Sequence, residues 1–170
     1  MTAPSDLERW YDDHAQALFA FLLNLSRSEP DTHDVLQEVF QRLAARPAQL
    51  HSVQDARAFL LRMAHNLWVD HVRRRKTRER VRAELAAQPE PVFAPTEDPD
   101  ARAFRHELSA ALAELPAEQR AVVHLKLWED LTFKVIAQTL DIPLNTAASR
   151  YRYGLDKLRA RLRPLYEEIR

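Results

Sequence analysis

Residues Leu131 to Arg163 read LTFKVIAQTLDIPLNTAASRYRYGLDKLRARLR, a pattern that fits two helices around a tight turn. Thr132 supplies a hydroxyl cap to the first helix, and Phe133, Ile136, Ala137 and Leu140 form its inward face. Asp141, Ile142 and Pro143 interrupt the pattern, and a second helix starts near Leu144. Its inward residues are Ala147, Tyr151, Gly154, Leu155 and Leu158, and the small Ala147 and Gly154 predict close approach of the two helices. Asn145, Thr146, Ala148, Ser149 and Arg152 lie near the helix start, where a recognition helix meets base edges. Arg150, Lys157, Arg159, Arg161 and Arg163 suit backbone phosphates. A helical hairpin that packs proteins together is the alternative. The polar start and basic end of the second helix favour DNA.

A second basic segment lies upstream. Residues 55–82 read DARAFLLRMAHNLWVDHVRRRKTRERVR. Phe59, Leu60, Met63, Ala64, Leu67 and Trp68 give this helix an apolar face, while Arg62, Asn66, Asp70 and Arg73 recur at helical spacing on another. The helix runs on into Arg73, Arg74, Arg75, Lys76 and Arg78, and residues 73–82 carry 7 basic side chains against 1 acidic. Dipole complementation at a helix end accounts for one or two such charges. The excess points to nucleic acid, because guanidinium groups are planar, permanently charged and matched to phosphate. Asn66 suits a base edge, and Trp68 or His71 would stack on a base if exposed.

The rest of the chain frames these segments. Leu7, Trp10, Tyr11, Leu18, Phe21, Leu22 and Leu25 make one helical stripe, and Leu36, Val39, Phe40 and Leu43 another. Gln88 to Pro99 reads QPEPVFAPTEDP, with four prolines that cannot sustain a helix. Asp98 and Pro99 form a cap and first-turn pair, and Pro116 restarts a helix that runs to about Leu127. The prediction is an all-α chain of two small helical domains: residues 1–85, a flexible linker at 86–99, and residues 100–170 containing the helix-turn-helix.

Composition excludes several classes of chemistry. There is no Cys and a single Gly among 170 residues. A disulfide framework, a thiolate-ligated metal and a Gly-rich nucleotide loop are all ruled out. The seven histidines form no HExxH pattern. Asp12 with Asp13, and Asp31 with Asp34, are expected at helix starts as caps and dipole partners rather than as cation ligands. No catalytic residue, metal or cofactor is expected, and neither is a signal peptide or membrane span. The 25 basic and 25 acidic residues balance overall but segregate along the chain. Residues 1–72 net −4, residues 73–82 net +6, residues 83–119 net −6 and residues 120–170 net +4. Two positive segments between negative ones suit contact with two stretches of nucleic acid and a basic protein surface.

With these residues in place, the chain resembles the bacterial sigma factor family, specifically its small extracytoplasmic-function group. Four stretches carry the likeness. DTHDVLQEVFQRLAARP (31–47) is similar to the family's polymerase-binding segment, and ARAFLLRMAHNLWVDHVRRRKTR (56–78) to its promoter-melting, −10-reading segment. LAELPAEQRAVVHLKLWEDLTFKVIAQTLDIP (112–143) and LNTAASRYRYGLDKLR (144–159) are similar to its −35-reading domain.

The resemblance implies that Asp34, Gln37, Glu38 and Gln41 grip core RNA polymerase. It implies that Arg62, Asn66, Asp70, Arg73, Arg74, Arg75 and Lys76 follow the single-stranded −10 non-template strand. A loop at Pro47–Gln54 would pocket a flipped base, whose extraction costs a few kcal/mol of stacking. Asn145, Thr146, Ser149, Arg150, Arg152 and Arg159 would engage the −35 duplex. An anti-sigma factor is an implied partner, and the cytoplasm, at the nucleoid, the implied location. Three positions depart from the family pattern: Asp141 stands where the turn commonly has Gly, Pro143 where a serine often caps the reading helix, and Val135 where an acid often completes a capping box. A DNA-binding regulator that acts without polymerase, and a purely protein-binding adaptor, are the competing readings of the residues.

Overall fold

A computed structural model describes residues 5–79, 93 and 98–168. Its elements are α1 (Asp6–Ser26), α2 (Glu29–Ala45), a 3-10 helix (Pro47–Ser52), α3 (Ala56–Glu79), α4 (Pro99–Glu114), α5 (Ala117–Leu127), α6 (Phe133–Leu140) and α7 (Leu144–Glu168). No strand occurs among the described residues, so the chain is all-α. Most of the expected linker, and the basic residues Arg80 and Arg82, lie outside the described residues.

Local signals set the helix ends. Ser5 opens α1 with a capping box: Glu8 N–H donates to Ser5 Oγ at 3.3 Å, and Ser5 N–H donates to Glu8 Oε2 at 2.5 Å. Arg27 closes it in the left-handed region (φ 56°), donating its N–H to Leu23 O at 2.9 Å. Ser28 caps α2, so only two residues separate antiparallel neighbours. Asp98 accepts from Asp100 N–H at 3.1 Å with Pro99 in the first turn, and Pro116 immediately precedes α5. Both starts match the sequence signals. Asp12 and Asp13 do not: they are exposed within α1 rather than at its start.

Helices α1, α2 and α3 enclose Leu18, Phe21, Leu22, Val35, Val39, Leu43, Leu60, Leu61, Ala64 and Leu67. Ala111 and Leu112 of α4, with Leu115 just after it, meet Val123 of α5 and Leu158 and Leu162 of α7 in a second cluster. The first cluster does not stop at the N-terminal half. Ala121, Val122 and Leu125 of α5, Ile136, Ala137 and Leu140 of α6, and Ala147 of α7 belong to it. α5 packs on α1, and α6 packs on α3. The two helical halves therefore share a core.

Gly154 has a different neighbour from the one its spacing predicts. A Cβ there would lie 2.7 Å from Val123 Cγ2. Its smallness serves the approach of α7 to α5, not of α7 to α6.

Candidate nucleic-acid interface

The turn between α6 and α7 is built from residues that compensate for unusual chemistry. Thr132 Oγ1 accepts from Val135 N–H at 3.3 Å, a single-sided cap because Val135 has no carboxylate to return. Asp141 adopts φ 54°, ψ 52°, the left-handed conformation that glycine takes most easily and aspartate tolerates. Its N–H reaches Ala137 O, and Ile142 N–H donates to the same oxygen at 3.0 Å. Pro143 has no hydroxyl, but its carbonyl accepts from Thr146 and Ala147 N–H at 3.0 and 3.1 Å. The start of α7 at Leu144 is thus set by backbone alone.

On α7, Asn145, Ala148, Ser149, Arg152, Asp156 and Arg159 line one groove of about 570 Å³, floored by Phe133, Tyr151 and Leu155. Four expected −35 residues, Asn145, Ser149, Arg152 and Arg159, share this face. The Arg152 guanidinium lies 5.1 Å over the Tyr153 ring, which orients it without neutralising it. Thr146 is half-buried and does not line this groove. Arg150 turns away from it: its Nη2 is 3.1 Å from Glu118 Oε2 on α5, and the side chain lines a separate groove with His65 of α3.

On α3, Arg62, Asn66 and Asp70 border a groove of about 210 Å³ with Arg42, Phe59, Met63 and Leu67. Arg73, Arg74, Arg75 and Lys76 follow on exposed turns. Arg73 Nη1 is 3.8 Å from Asp70 Oδ1, and Arg75 Nη1 is 2.6 Å from Asp31 Oδ2. The other Asp31 oxygen lies 3.2 Å from His71 Nε2. Asp31 therefore anchors the basic junction to the start of α2. Trp68 and His71 stack on each other, centroids 5.7 Å apart, and both are half-buried, so neither offers a free platform for a base. The expected loop at Pro47–Gln54 is mostly 3-10 helix, tied to the core by Leu50. On α2, Asp34, Gln37 and Gln41 are exposed opposite the buried Val35, Leu36, Val39 and Leu43. Glu38 beside them accepts from Arg42 Nη2 at 2.6 Å.

A buried polar set went unread in the sequence. Arg57 Nε donates to Glu129 Oε2 at 2.6 Å, and His124 Nε2 lies 3.6 Å from Glu129 Oε1. Asn24 Nδ2 donates to His124 Nδ1 at 3.2 Å, and Arg120 Nη1 donates to Asn24 O at 3.0 Å. Burial alone would raise the Glu129 carboxyl, but His124 and Arg57 outweigh it and hold its pKa below the usual value. Burial, then the charge of Arg27, push Arg120 down to about 10, so it remains a cation at neutral pH. Apart from His124 and Glu129, the partners are 72 to 100 residues apart, beyond any local pattern. The available signal was a lone polar residue in each of two apolar runs, Asn24 in FLLNL and His124 in AVVHL.

No group of three or more potential metal ligands occurs among the described residues, and no described helix is long and apolar enough to cross a membrane.

Comparison with known proteins coincides with this layout. Residues 10–78 match the model for Sigma-70 region 2, and residues 111–160 match Sigma-70, region 4. The ECF RNA polymerase sigma factor SigE of Mycolicibacterium smegmatis is 36% identical over 153 residues, 86% of this chain. This chain spans 57% of that relative's length. SigL of Mycobacterium tuberculosis is 31% identical over 157 residues, covering 91% of this chain and 88% of its own. SigX of Bacillus subtilis is 27% identical over 164 residues, 94% and 84% of the two chains. In fold, the chain resembles the sigma factor RpoE of Bartonella quintana, solved in complex with the anti-sigma factor NepR, with TM-score 0.77, 18% identity, and 94% and 98% of the two chains covered. With both Sigma-70 regions in order on its two helical halves, and with SigL alike over nearly its whole length, the chain belongs to the ECF RNA polymerase sigma factors.

Proposed function

We propose that this chain binds core RNA polymerase and directs it to promoters, opening the −10 region through binding energy and catalysing no reaction itself. The observation that carries the reading is the pair of polar and basic helix faces, on α3 and on α7, in the order of the two matched regions. Asp34, Gln37, Glu38 and Gln41 would dock the polymerase through the outer face of α2. Arg62, Asn66 and Asp70 would meet the separated non-template strand, with Arg73, Arg74, Arg75 and Lys76 supplying phosphate attraction. Asn145, Ser149 and Arg152 would read the −35 major groove, with Thr146 and Arg159 supporting them at its edges. The domains run over residues 1–85 and 100–170, joined by 86–99. An anti-sigma factor is the proposed regulator, as NepR partners the Bartonella neighbour. The cytoplasm, at the nucleoid, is the proposed place of action.

Transcription with purified core polymerase and a pool of promoter fragments tests this reading. Transcripts sharing one upstream motif are expected only when the chain is added. Tight duplex binding without polymerase-dependent transcripts would favour a regulator that acts alone.

A further inference from the structure

The basic end of α3 holds a hydroxyl that promoter contact leaves unused. Residues 73–79 read RRRKTRE, with Thr77 preceded by Arg74 at three positions and Arg75 at two. Thr77 is exposed, and its Oγ1 donates within its own helix, to Arg73 O at 3.1 Å. It lies in the last turn of α3, which ends at Glu79, and helix ends open at little cost. The other serines and threonines of the described residues cap helix starts, are wholly or partly buried, or, like Ser52, have no arginine or lysine among the five residues before them.

This setting matches what an arginine-directed protein kinase selects. Such an enzyme discriminates by charge pattern, its own carboxylates taking the cations just before the target hydroxyl. Arg74 is exposed, and Arg75 is tied only to the surface, by a half-exposed ion pair with Asp31 that yields readily. In the transfer, Thr77 Oγ1 attacks the γ-phosphorus of ATP, and the new O–P bond replaces the bond to the β,γ-bridging oxygen. ADP leaves with that electron pair, and the hydroxyl proton passes to a carboxylate of the kinase.

We infer that Thr77 is a phosphorylation site for an arginine-directed protein kinase, and that its phosphate blocks the α3 face from the −10 strand. The inference rests on the promoter reading above. Phosphothreonine carries a charge of about −1.5 to −2 at pH 7, set against a net of +6 over residues 73–82. Its acceptor oxygens lie one helical turn from Arg73 and Arg74. Arg73 is 78% exposed, with Asp70 3.8 Å away as a weak partner, and both guanidinium groups would turn to the phosphate. Two of the four cations assigned to the strand are then neutralised within the chain, and the strand's own phosphates meet a like charge. A phosphate at a helix C-terminus also opposes the dipole and loosens the turn that carries Arg75 and Lys76.

The test treats the full-length chain with an arginine-directed serine/threonine kinase and ATP, with the synthetic peptide RRRKTRE as the control that the kinase accepts this sequence. Mass spectrometry of proteolytic fragments is expected to place a phosphate on Thr77. With core polymerase and a promoter fragment, the modified chain should show permanganate reactivity of the −10 region lowered about tenfold or more. The log–log salt slope of opening should shrink by about 1.4–1.8 for two lost phosphate contacts. Thr77→Ala should open promoters like the unmodified chain and keep doing so after kinase treatment. Uptake by the peptide without uptake at Thr77 of the chain would overturn the inference. So would normal opening by the modified chain, or an equal loss in kinase-treated Thr77→Ala, and all three leave the promoter reading standing. An unmodified chain that opens no promoter would sink that reading, and this inference with it.

Discussion

Asp141 and Gly154 hold α7 in place by opposite means, one by tolerating a left-handed backbone and the other by having no side chain. Asp141→Val should cost about 1–2 kcal/mol, because a branched Cβ crowds the carbonyl at positive φ. Asp141→Gly should be neutral or stabilising. Denaturant midpoints of both variants check the pair, and equal midpoints for Val and Gly would refute the account. Gly154→Ala places a methyl 2.7 Å from Val123 Cγ2 and should cost about 1–3 kcal/mol by overpacking. Val123→Ala in the same chain should recover part of that loss. Arg152→Ala should relax preference at one or two upstream base pairs by about 1–3 kcal/mol, if it makes a bidentate contact, in binding to a randomised duplex pool. Single-residue signals were legible where their partners are near in sequence: Thr132 caps α6 and Asp98 caps α4, as read. Arg150 was not, because the carboxylate that turns it away, Glu118, sits on another helix 32 residues upstream.

Helix faces were legible because burial imposes a 3.6-residue period. The apolar stripes of α2 and α3 fell where spacing placed them, and their polar faces followed. Asp34, Gln37 and Gln41 stay exposed on α2, so Asp34→Arg should leave folding intact and weaken capture by core polymerase by several kcal/mol if its pair is desolvated. Wild-type co-purification would remove α2 as the docking face. Asp34 is the cleaner probe, since Glu38 already accepts from Arg42 at 2.6 Å. Arg73→Ala with Arg74→Ala should weaken open-complex formation and flatten its salt dependence. The expected change is just under about one log–log unit per duplex phosphate contact, and less on single strands. Permanganate reactivity of the −10 region at several salt concentrations measures both. Elements without a periodic signature were harder to read. The 3-10 helix at Pro47–Ser52 was read as loop because a six-residue stretch holds less than two α-helical turns.

At the scale of the molecule, the order of the two halves was legible and their docking was not, since Asn24 and His124 lie 100 residues apart. The docked arrangement makes a prediction about pH. His65 sits in the seam between α3, α5, α6 and α7, facing Arg150 and Glu118. Burial first, then the Arg150 charge, lower its pKa from 6.5, and the Asn66 contact only partly opposes this. The packed form therefore holds the ring neutral. Above the ordinary value nothing is lost; as pH falls through 6.5, the unfolded chain takes up a proton that the packed chain resists, and stability declines. The thermal midpoint should drop between pH 7.5 and 5, and His65→Gln should flatten that part of the profile. A wild-type slope retained in His65→Gln would assign it elsewhere. Glu129, lowered from 4.5, acts in a separate, more acidic window: its contribution is present above 4.5 and lost below. The shared core also orders events on the ribosome. Roughly 60 residues separate Leu67 from Leu125, about 3–12 s of synthesis at about 5–20 residues per second. Throughout that interval the newborn N-terminal half has no C-terminal half to cover it, so every molecule begins life open.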